Sequence, residues 1–306
     1  MIIASIDIGT NTVLLLIAKV DYSTRRIIPL HDEYRMPRIG YKTKQTGIIS
    51  SDRLILLKDV LKEYSDIINS YKCDKVILTG TNAFRMASNS DYIKKDIKKS
   101  FSYDLSVVSG EEEAEYAYLG AISNLPDSNN SMVIDIGGSS TEIIYGEGFN
   151  ILYKNSLQLG SVSGTEQFLK HSPPLKVEIE NFRDLIKEMF SGFEKDLFPK
   201  KVIAIAGTAT TLACLKLGLK EIEENKVNKC IISIHDMRSI IGELNSLTAT
   251  EILAKFGSVM NGREDIIFAG AIILQQFMEH FGIDHIIVST RGIRYGAIVK
   301  YLESSI

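Results

Sequence analysis

The 306-residue sequence contains little cysteine, and the placement of what there is excludes several classes of protein. The three cysteines, Cys73, Cys214 and Cys230, are odd in number and far apart in the chain. They show neither CxxC spacing nor a neighbouring histidine, so the pattern is not that of a disulfide framework or a zinc site. Buried thiols in a reducing cytoplasm are therefore expected.

The sequence also lacks an excess of basic charge and any long apolar run. It has 35 Lys and Arg against 38 Asp and Glu, a formal net charge of −3, so no overall basic field attracts nucleic acid or an acidic membrane. Any polyanionic ligand must be held locally. The apolar run VLLLIA ends at Lys19, and the apolar start MII is soon followed by Asp7, so we expect neither a spanning helix nor a signal peptide. The predicted location is the cytoplasm.

Strand and helix patterns alternate along the chain, which indicates an α/β fold. The polar stretch SNLPDSNNS, residues 123–131, is the best candidate for a domain boundary, and after it the pattern begins again. We therefore predict an N-terminal domain over residues 1–125 and a C-terminal domain over residues 126–306 built on one plan. The last helix is a candidate to pack back on the first domain.

The tetrapeptide IDIG occurs twice, once in each half. Asp7 aligns with Asp135, and each aspartate ends an apolar strand that is followed by a turn of small residues. Such a turn offers backbone N–H groups and hydroxyls to an anion without bulky side chains in the way. For one copy a simple tight β-turn is an equal explanation, whereas two matching copies favour a pair of phosphate-binding hairpins. The predicted phosphate contacts are Gly9, Thr10, Asn11 and Thr12 in the first turn and Gly137, Gly138, Ser139 and Ser140 in the second.

An aspartate beside a phosphate cannot bind it directly, because both groups are negative. Asp7 and Asp135 can instead hold Mg²⁺ or its waters, and the metal then bridges to phosphate oxygens. A third small-residue turn, IAIAGTATTL, follows another buried strand. Its Gly207 and Thr208 can accept a further phosphate or a nucleoside at a helix N-terminus, although this signal is weak by itself.

These hairpins resemble those of the acetate and sugar kinase, heat-shock protein 70 and actin superfamily. More narrowly, the chain resembles the exopolyphosphatase and guanosine pentaphosphate phosphohydrolase family over essentially its whole length. Sugar kinases and chaperones share the hairpins but lack the segments SGEEEA and NAFRMASN. The motifs that carry the resemblance are SIDIGTNTVLLLI, TGTNAFRMASN, VVSGEEEAEYAYLG, VIDIGGSSTEII, LQLGSVSGTEQFL, IAIAGTATTLACL, GREDIIFAGAIIL and VSTRGIRYGAI.

The resemblance implies two duplicated ribonuclease-H-like (actin-like ATPase) domains with the active site in the cleft between them. It implies that Glu113, the glutamate directly before Ala114, is the catalytic base, whereas Glu111 interacts with the helix dipole. It assigns Asp135 and Glu142 to Mg²⁺ and water placement, and Arg85 to phosphate binding. Arg291 and Arg294 lie in a family motif, where a structural salt bridge is an equal explanation.

The implied activity is release of a terminal orthophosphate from inorganic polyphosphate or guanosine pentaphosphate by a Mg²⁺-dependent homodimer. Two departures from the family pattern keep alternatives open: Leu14 stands where an arginine or histidine is usual, and Ser139 replaces a glycine. The alternatives are a non-catalytic sensor that binds guanosine tetraphosphate or polyphosphate, and a superfamily kinase that uses ATP.

Overall fold

The computed structural model describes residues 1–22, 24–123, 125, 129–193 and 199–304. Residues 124 and 126–128 of the proposed boundary segment thus lie outside the described part. The chain divides into two units: unit 1 comprises Met1–Asn124 with Gly292–Ile306, and unit 2 comprises Leu125–Arg291. The C-terminal helix, which the sequence grouped with the second half as a candidate to pack on the first, belongs to unit 1.

Unit 1 contains five strands and six helices in its described residues. The strands are β1 (Ile2–Ile8), β2 (Val13–Asp21), β3 (Arg26–Arg35), β4 (Lys75–Gly80) and β5 (Leu105–Val107). The helices are α1 (Thr43–Thr46), α2 (Ser51–Ser70), α3 (Asn82–Met86), α4 (Ser90–Phe101), α5 (Gly110–Ile122) and the C-terminal helix (Ile293–Ser304).

The strands of unit 1 form one mixed sheet in the order β3-β2-β1-β4-β5. Strands β1, β2 and β3 are an antiparallel meander, and β4 and β5 add in parallel beside β1. One face of the sheet packs on α2 and α4. In α2 the apolar residues Leu57, Leu61 and Tyr64 follow one another at helical spacing and are fully buried on that face. The C-terminal helix packs on β1, β2 and β4, and α5 packs on that helix.

Strand β3 was not predicted from the sequence. Its segment RIIPLHDEYR mixes apolar and charged residues and contains Pro29, which is unusual in a strand interior. The structure places β3 at the edge of the sheet, with a register irregularity at Ile17/Ala18 on its partner strand β2. An edge strand needs hydrogen bonds on one side only and can leave one face exposed, so it tolerates both the proline and the charges.

Unit 2 contains six strands and seven α-helices in its described residues, and one 3-10 turn at Gly257–Met260. The strands are β6 (Ser131–Ile136), β7 (Thr141–Glu147), β8 (Asn150–Leu157), β9 (Lys201–Ile205), β10 (Ile231–Ser233) and β11 (His285–Val288). The helices are α6 (Ser161–Phe168), α7 (Lys176–Ser191), α8 (Ala206–Leu217), α9 (Glu224–Val227), α10 (Ile234–Leu244), α11 (Ala249–Phe256) and α12 (Ile267–His280).

The sheet of unit 2 repeats the plan of unit 1. Its strand order is β10-β11-β9-β6-β7-β8, with β6, β7 and β8 as the antiparallel meander and β9 and β11 in parallel beyond β6. The added edge strand β10 is antiparallel to β11. A buried cluster centred on α12 and α7 fills this unit, including Phe182, Phe190 and Phe277. None of the helices in the described ranges has the length and apolar character that crossing a bilayer requires.

Candidate active site

The first IDIG segment forms a hairpin whose loop, Gly9–Thr12, is closed by a hydrogen bond. The Gly9 backbone N–H donates to the Thr12 carbonyl at 2.9 Å. Strands β1 and β2 pair through to Ile8 and Val13, and the pair before that is Asp7 opposite Leu14. Asp7 therefore stands one residue before the end of β1, with the small-residue loop directly beyond it.

The second IDIG segment builds the same hairpin, residue for residue. The Gly137 backbone N–H donates to the Ser140 carbonyl at 3.0 Å, and Asp135 pairs with Glu142 across β6 and β7. The Ser156 hydroxyl on β8 donates to Glu142 Oε1 at 2.8 Å and so orients that carboxylate. Asp135 and Glu142, both proposed as metal ligands, are thus cross-strand neighbours on one face of the sheet.

The two hairpins differ in chemistry at the position that faces the aspartate. Leu14 occupies in hairpin 1 the register position that Glu142 occupies in hairpin 2, and its own partner on β3 is Tyr34. Leu14 is half-buried and lies on the face opposite to the cluster of Val13 and Leu15. Hairpin 1 therefore presents one carboxylate beside an apolar side chain, whereas hairpin 2 presents two carboxylates.

Asp7 is a buried carboxylate with an unsatisfied oxygen. Its side chain is 8% exposed, and Oδ1 has no hydrogen-bond partner among the described residues. Burial, together with the charge of Glu113, raises the pKa of Asp7 from 3.8 to about 7, and the charge of Arg294 opposes that rise. A buried, unpaired carboxylate oxygen is costly, so Asp7 is a candidate ligand-binding group.

Glu113 lies in the first turn of α5, which begins with a capping box. Ser109 and Glu112 satisfy each other's backbone N–H groups, at 2.8 and 3.1 Å. Glu112 is therefore a structural cap, and Glu111 is exposed at the helix start, while Glu113 points inward and is half-buried. The family resemblance selected Glu113 from the run of three glutamates, and the helix geometry gives each of the three a different environment.

Arg85 is paired with Glu113. Its Nη1 donates to Glu113 Oε2 at 2.6 Å and to the carbonyl of Val108 at 3.0 Å. Burial raises the pKa of Glu113, and the adjacent Arg85 guanidinium lowers it. No described residue accepts a hydrogen bond from Nε or Nη2 of Arg85, so these donors are available to hydrogen-bond a phosphate.

Strand order explains why Asp7, Arg85 and Glu113 belong to one edge of unit 1. Asp7 lies near the carboxyl end of β1, Arg85 lies in α3 directly after β4, and Glu113 lies in α5 directly after β5. These three strands are parallel neighbours, so the segments that follow them leave the same edge of the sheet. Open α/β sheets bind their ligands at that edge.

The third small-residue turn, at the start of α8, joins hairpin 2 within unit 2. The Thr208 hydroxyl donates to the carbonyl of Ile136 at 3.1 Å, and Ala206 adopts a left-handed φ of 64° that is rare for a residue with a Cβ. The guanidinium of Arg263 packs on Gly207, where a Cβ would lie 2.7 Å from Arg263 Cζ. Arg263 was not predicted from the sequence as a site residue, although it lies in the motif GREDIIFAGAIIL.

Arg294 is a second arginine whose position the sequence left open. It is 8% exposed, and its Nη1 donates to the Leu15 carbonyl and to Asp32 Oδ1, each at 2.8 Å. Its hydrogen bond to Leu15 connects the C-terminal helix to β2, and its salt bridge to Asp32 connects that helix to β3. No local signal identifies Asp32 as the partner, because the two residues are 262 positions apart.

The described residues test whether this site suits a divalent cation. They contain no cluster of three or more His, Cys, Asp and Glu side chains placed to hold a metal. Mg²⁺, however, is commonly bound by one or two carboxylates together with waters and substrate phosphates. Taken separately, the unsatisfied Oδ1 of Asp7 in unit 1 and the cross-strand pair of Asp135 and Glu142 in unit 2 each fit that type of site.

Each unit thus carries an antiparallel three-stranded meander extended by parallel strands, which is the duplicated ribonuclease-H-like (actin-like ATPase) fold. The fold predicted from the sequence is confirmed in this respect.

Comparison with known proteins identifies the family. The model of the Ppx/GppA phosphatase family matches residues 16–305, so the chain belongs to that family. The crystal structure of the Aquifex aeolicus member of the Ppx/GppA family is 30% identical, covers 100% of this chain and 99% of that one, and superposes with a TM-score of 0.89. The resemblance drawn from the motifs is therefore confirmed.

Two curated relatives give further detail. Exopolyphosphatase 2 of Mycobacterium tuberculosis is 27% identical over 96% of each chain. The bifunctional 3-dehydroquinate synthase/phosphatase of Fusobacterium nucleatum subsp. nucleatum is 30% identical over 98% of this chain. The chain spans 46% of the length of that second relative.

Proposed function

We propose that this protein is a Mg²⁺-dependent phosphohydrolase that releases terminal orthophosphate from inorganic polyphosphate, guanosine pentaphosphate or both. The reaction class is hydrolysis of a phosphoanhydride bond, which is the chemistry that the name of the mycobacterial relative denotes. The observation that carries the proposal is the contact of 2.6 Å between Arg85 and Glu113, at the sheet edge that also bears Asp7.

Hydrolysis requires a base for the attacking water and positive charge on the phosphoryl oxygens. Glu113 supplies the base: it is half-buried, and Arg85 favours its ionised form. Arg85 also offers its remaining N–H donors to a phosphoryl oxygen. The backbone of the Gly9–Thr12 loop provides the phosphate cradle of unit 1, and the Gly137–Ser140 loop provides that of unit 2.

Mg²⁺, when bound, neutralises phosphate charge. Asp7 is the candidate ligand in unit 1, and Asp135 and Glu142 are the candidate ligands in unit 2. Support comes from the unsatisfied oxygen of Asp7 and from the cross-strand pairing of Asp135 with Glu142. A homodimer, a cytoplasmic location and an active site between the two halves stay predictions from the sequence.

One observation favours the second candidate function, a sensor that binds guanosine tetraphosphate or polyphosphate without turnover. Leu14 takes the place in hairpin 1 where hairpin 2 has Glu142, so hairpin 1 provides one carboxylate only. The paired base Glu113 has no purpose in a pure sensor, which is why we place the hydrolase first. Nothing in the geometry favours the kinase.

The test measures orthophosphate release from polyphosphate and from guanosine pentaphosphate, with and without Mg²⁺, beside calorimetric binding of both. Glu113→Gln should lower turnover on the order of a hundredfold or more while keeping substrate affinity, because the amide keeps the shape but cannot accept the proton. Glu111→Gln is the matched control in the same helix turn and should change little. Binding without any phosphate release by the folded wild type would support the sensor and reject the hydrolase.

A further inference from the structure

The segment that follows β3 carries a local excess of positive charge in a chain whose net charge is −3. Residues 36–48, MPRIGYKTKQTGI, which we name the basic loop, contain Arg38, Lys42 and Lys44 and no acidic residue. All three cationic residues are exposed. The composition of the whole protein conceals this patch, because acidic residues elsewhere outweigh it.

The basic loop is fastened to the proposed phosphate loop of hairpin 1 by backbone hydrogen bonds. The Arg38 N–H donates to the Asn11 carbonyl at 3.0 Å, and the Gly40 N–H donates to the Thr10 carbonyl at 2.8 Å. Gly40 packs so closely that a Cβ there would lie 3.2 Å from Thr10 Cβ and would overlap its methyl group. The cationic residues of the basic loop therefore belong to a segment whose backbone is in direct contact with the phosphate loop.

Contacts with Arg53 and within the loop also hold the basic loop in place. The Tyr41 ring has Lys42 Nζ at 5.2 Å and the Arg53 guanidinium carbon at 5.1 Å from its centroid. Arg53 Nη1 donates to the Pro37 carbonyl at 3.1 Å, and Thr43 is fully buried. These contacts fix the path of the loop, so its charges have defined positions beside the phosphate loop.

Lys42 and Lys44 form no ion pair with any acidic residue in the described part of the chain. Other lysines of unit 1 do: Lys58 Nζ lies 2.7 Å from Asp96, and Lys98 Nζ lies 2.6 Å from Asp104. Unpaired positive charges next to an anion-binding loop raise the local concentration of a polyanion and attract its distal charges.

We propose that the basic loop binds the phosphates of a polyphosphate chain that extend beyond those held by the Gly9–Thr12 loop. The substrate class that it selects is a long linear polyanion, in preference to guanosine pentaphosphate, whose few phosphates are divided between two positions on an uncharged ribose. This inference rests on the proposed function, since it names the substrate class of the same site.

The test compares long-chain polyphosphate with tripolyphosphate, which is too short to leave many phosphates outside the phosphate loop, and with guanosine pentaphosphate. The variant Lys42→Gln/Lys44→Gln removes two charges from the basic loop. Lys95→Gln/Lys99→Gln on α4 is the matched control, since it removes two exposed lysines of the same unit that also have no acidic partner among the described residues. Lys42→Arg/Lys44→Arg keeps the charge and serves as the rescue.

Removing the two charges should raise KM for long-chain polyphosphate. The fold-increase should be about five times the fold-increase for tripolyphosphate or guanosine pentaphosphate, which is the range expected for two exposed charge contacts. The salt dependence of KM for long chains should become shallower, because fewer charges are screened. The control pair and the arginine pair should keep the wild-type values. Melting temperatures of all variants check that the fold is unchanged.

The outcomes separate this proposal from the function on which it rests. A wild-type protein that hydrolyses none of the three substrates would reject the proposed function. An active wild type whose Lys42→Gln/Lys44→Gln variant shows the same KM change for long and short substrates, or no change, would overturn the role of the basic loop alone. A control pair that alters KM as strongly would reduce the effect to net charge and would also overturn it.

Discussion

Asp7→Asn should stabilise the protein at neutral pH while it abolishes Mg²⁺-dependent activity. The folded state buries this carboxylate and leaves its Oδ1 without a partner in the described residues. Asparagine has nearly the same shape and no charge, so the substitution removes the cost of a buried anion. It also removes the proposed metal ligand of unit 1.

The size of the effect follows from the pKa. A rise in the pKa of Asp7 from 3.8 to about 7 corresponds to about 4 kcal/mol, at about 1.36 kcal/mol per pH unit. Below pH 3.8 the carboxyl is protonated in both states, and the cost is absent. Between pH 3.8 and 7 the unfolded chain ionises while the folded protein retains the proton, so stability falls as pH rises. Above pH 7 the cost is fully present.

The assay is thermal unfolding of wild type and Asp7→Asn from pH 5 to pH 8. At pH 8 the variant should melt about 10 °C higher, at the few degrees per kcal/mol typical of a domain of this size, and the gain should shrink towards pH 5. Saturating Mg²⁺ should narrow the gap by stabilising the wild type more than the variant, which lacks the Asp7 ligand. Asp135→Asn, at the half-buried equivalent position, is the control and should gain less.

A variant that melts at or below the wild-type temperature at pH 8, with a gap that does not vary with pH, would refute this account of Asp7. It would show that the folded protein already compensates the Asp7 charge.

Three further perturbations address other parts of the structure. Arg85→Gln should lower kcat and move the acid limb of the pH profile to higher pH, because without the cation the pKa of Glu113 rises; an unmoved limb would show that Arg85 does not act on Glu113. Leu14→Arg places a guanidinium opposite Asp7, so the affinity for polyphosphate, measured by calorimetry, should rise. The melting temperature should not show the loss of several kcal/mol in stability that is expected for a charge buried in the core. Gly296→Ala should destabilise the protein by more than about 2 kcal/mol, because the new Cβ would overlap the backbone of α5. Gly242→Ala has open space around it and should stabilise α10 by about 0.5 to 1 kcal/mol. Equal shifts in the melting temperatures of the two variants would contradict this packing.

Much of the fold could be predicted from the local pattern of the sequence. Apolar strands that end in Asp and Gly appear twice, and the two hairpins agree in register down to the hydrogen bonds of Gly9 and Gly137. The helix α2 could be read from the spacing of Leu57, Leu61 and Tyr64, because a periodic apolar face must be buried wherever the helix packs. The motif around Glu113 likewise placed it at a helix start. These features depend on neighbours in the chain and so are visible in the sequence.

Tertiary structure decided the features that join distant segments. The sequence contains Arg85 and Glu113 as separate motifs, and only the parallel order of β4 and β5 brings them to 2.6 Å. Arg294 and Asp32 are 262 positions apart and meet because the C-terminal helix packs on β2, the neighbour of β3 in the sheet. Strand β3 has no clean alternation because an edge strand buries only part of its surface.

The sequence by itself determined the duplicated hairpins, the α/β class and the residue types available for phosphate chemistry, since all of these follow from local periodicity and turn composition. Only the tertiary structure decided that Asp7 is buried with its Oδ1 unpartnered among the described residues, that Arg85 pairs with Glu113 and that the basic loop lies against Thr10 and Asn11. Burial and pairing depend on which segments pack together, and that is settled by the free energy of the whole domain rather than by any short stretch of chain.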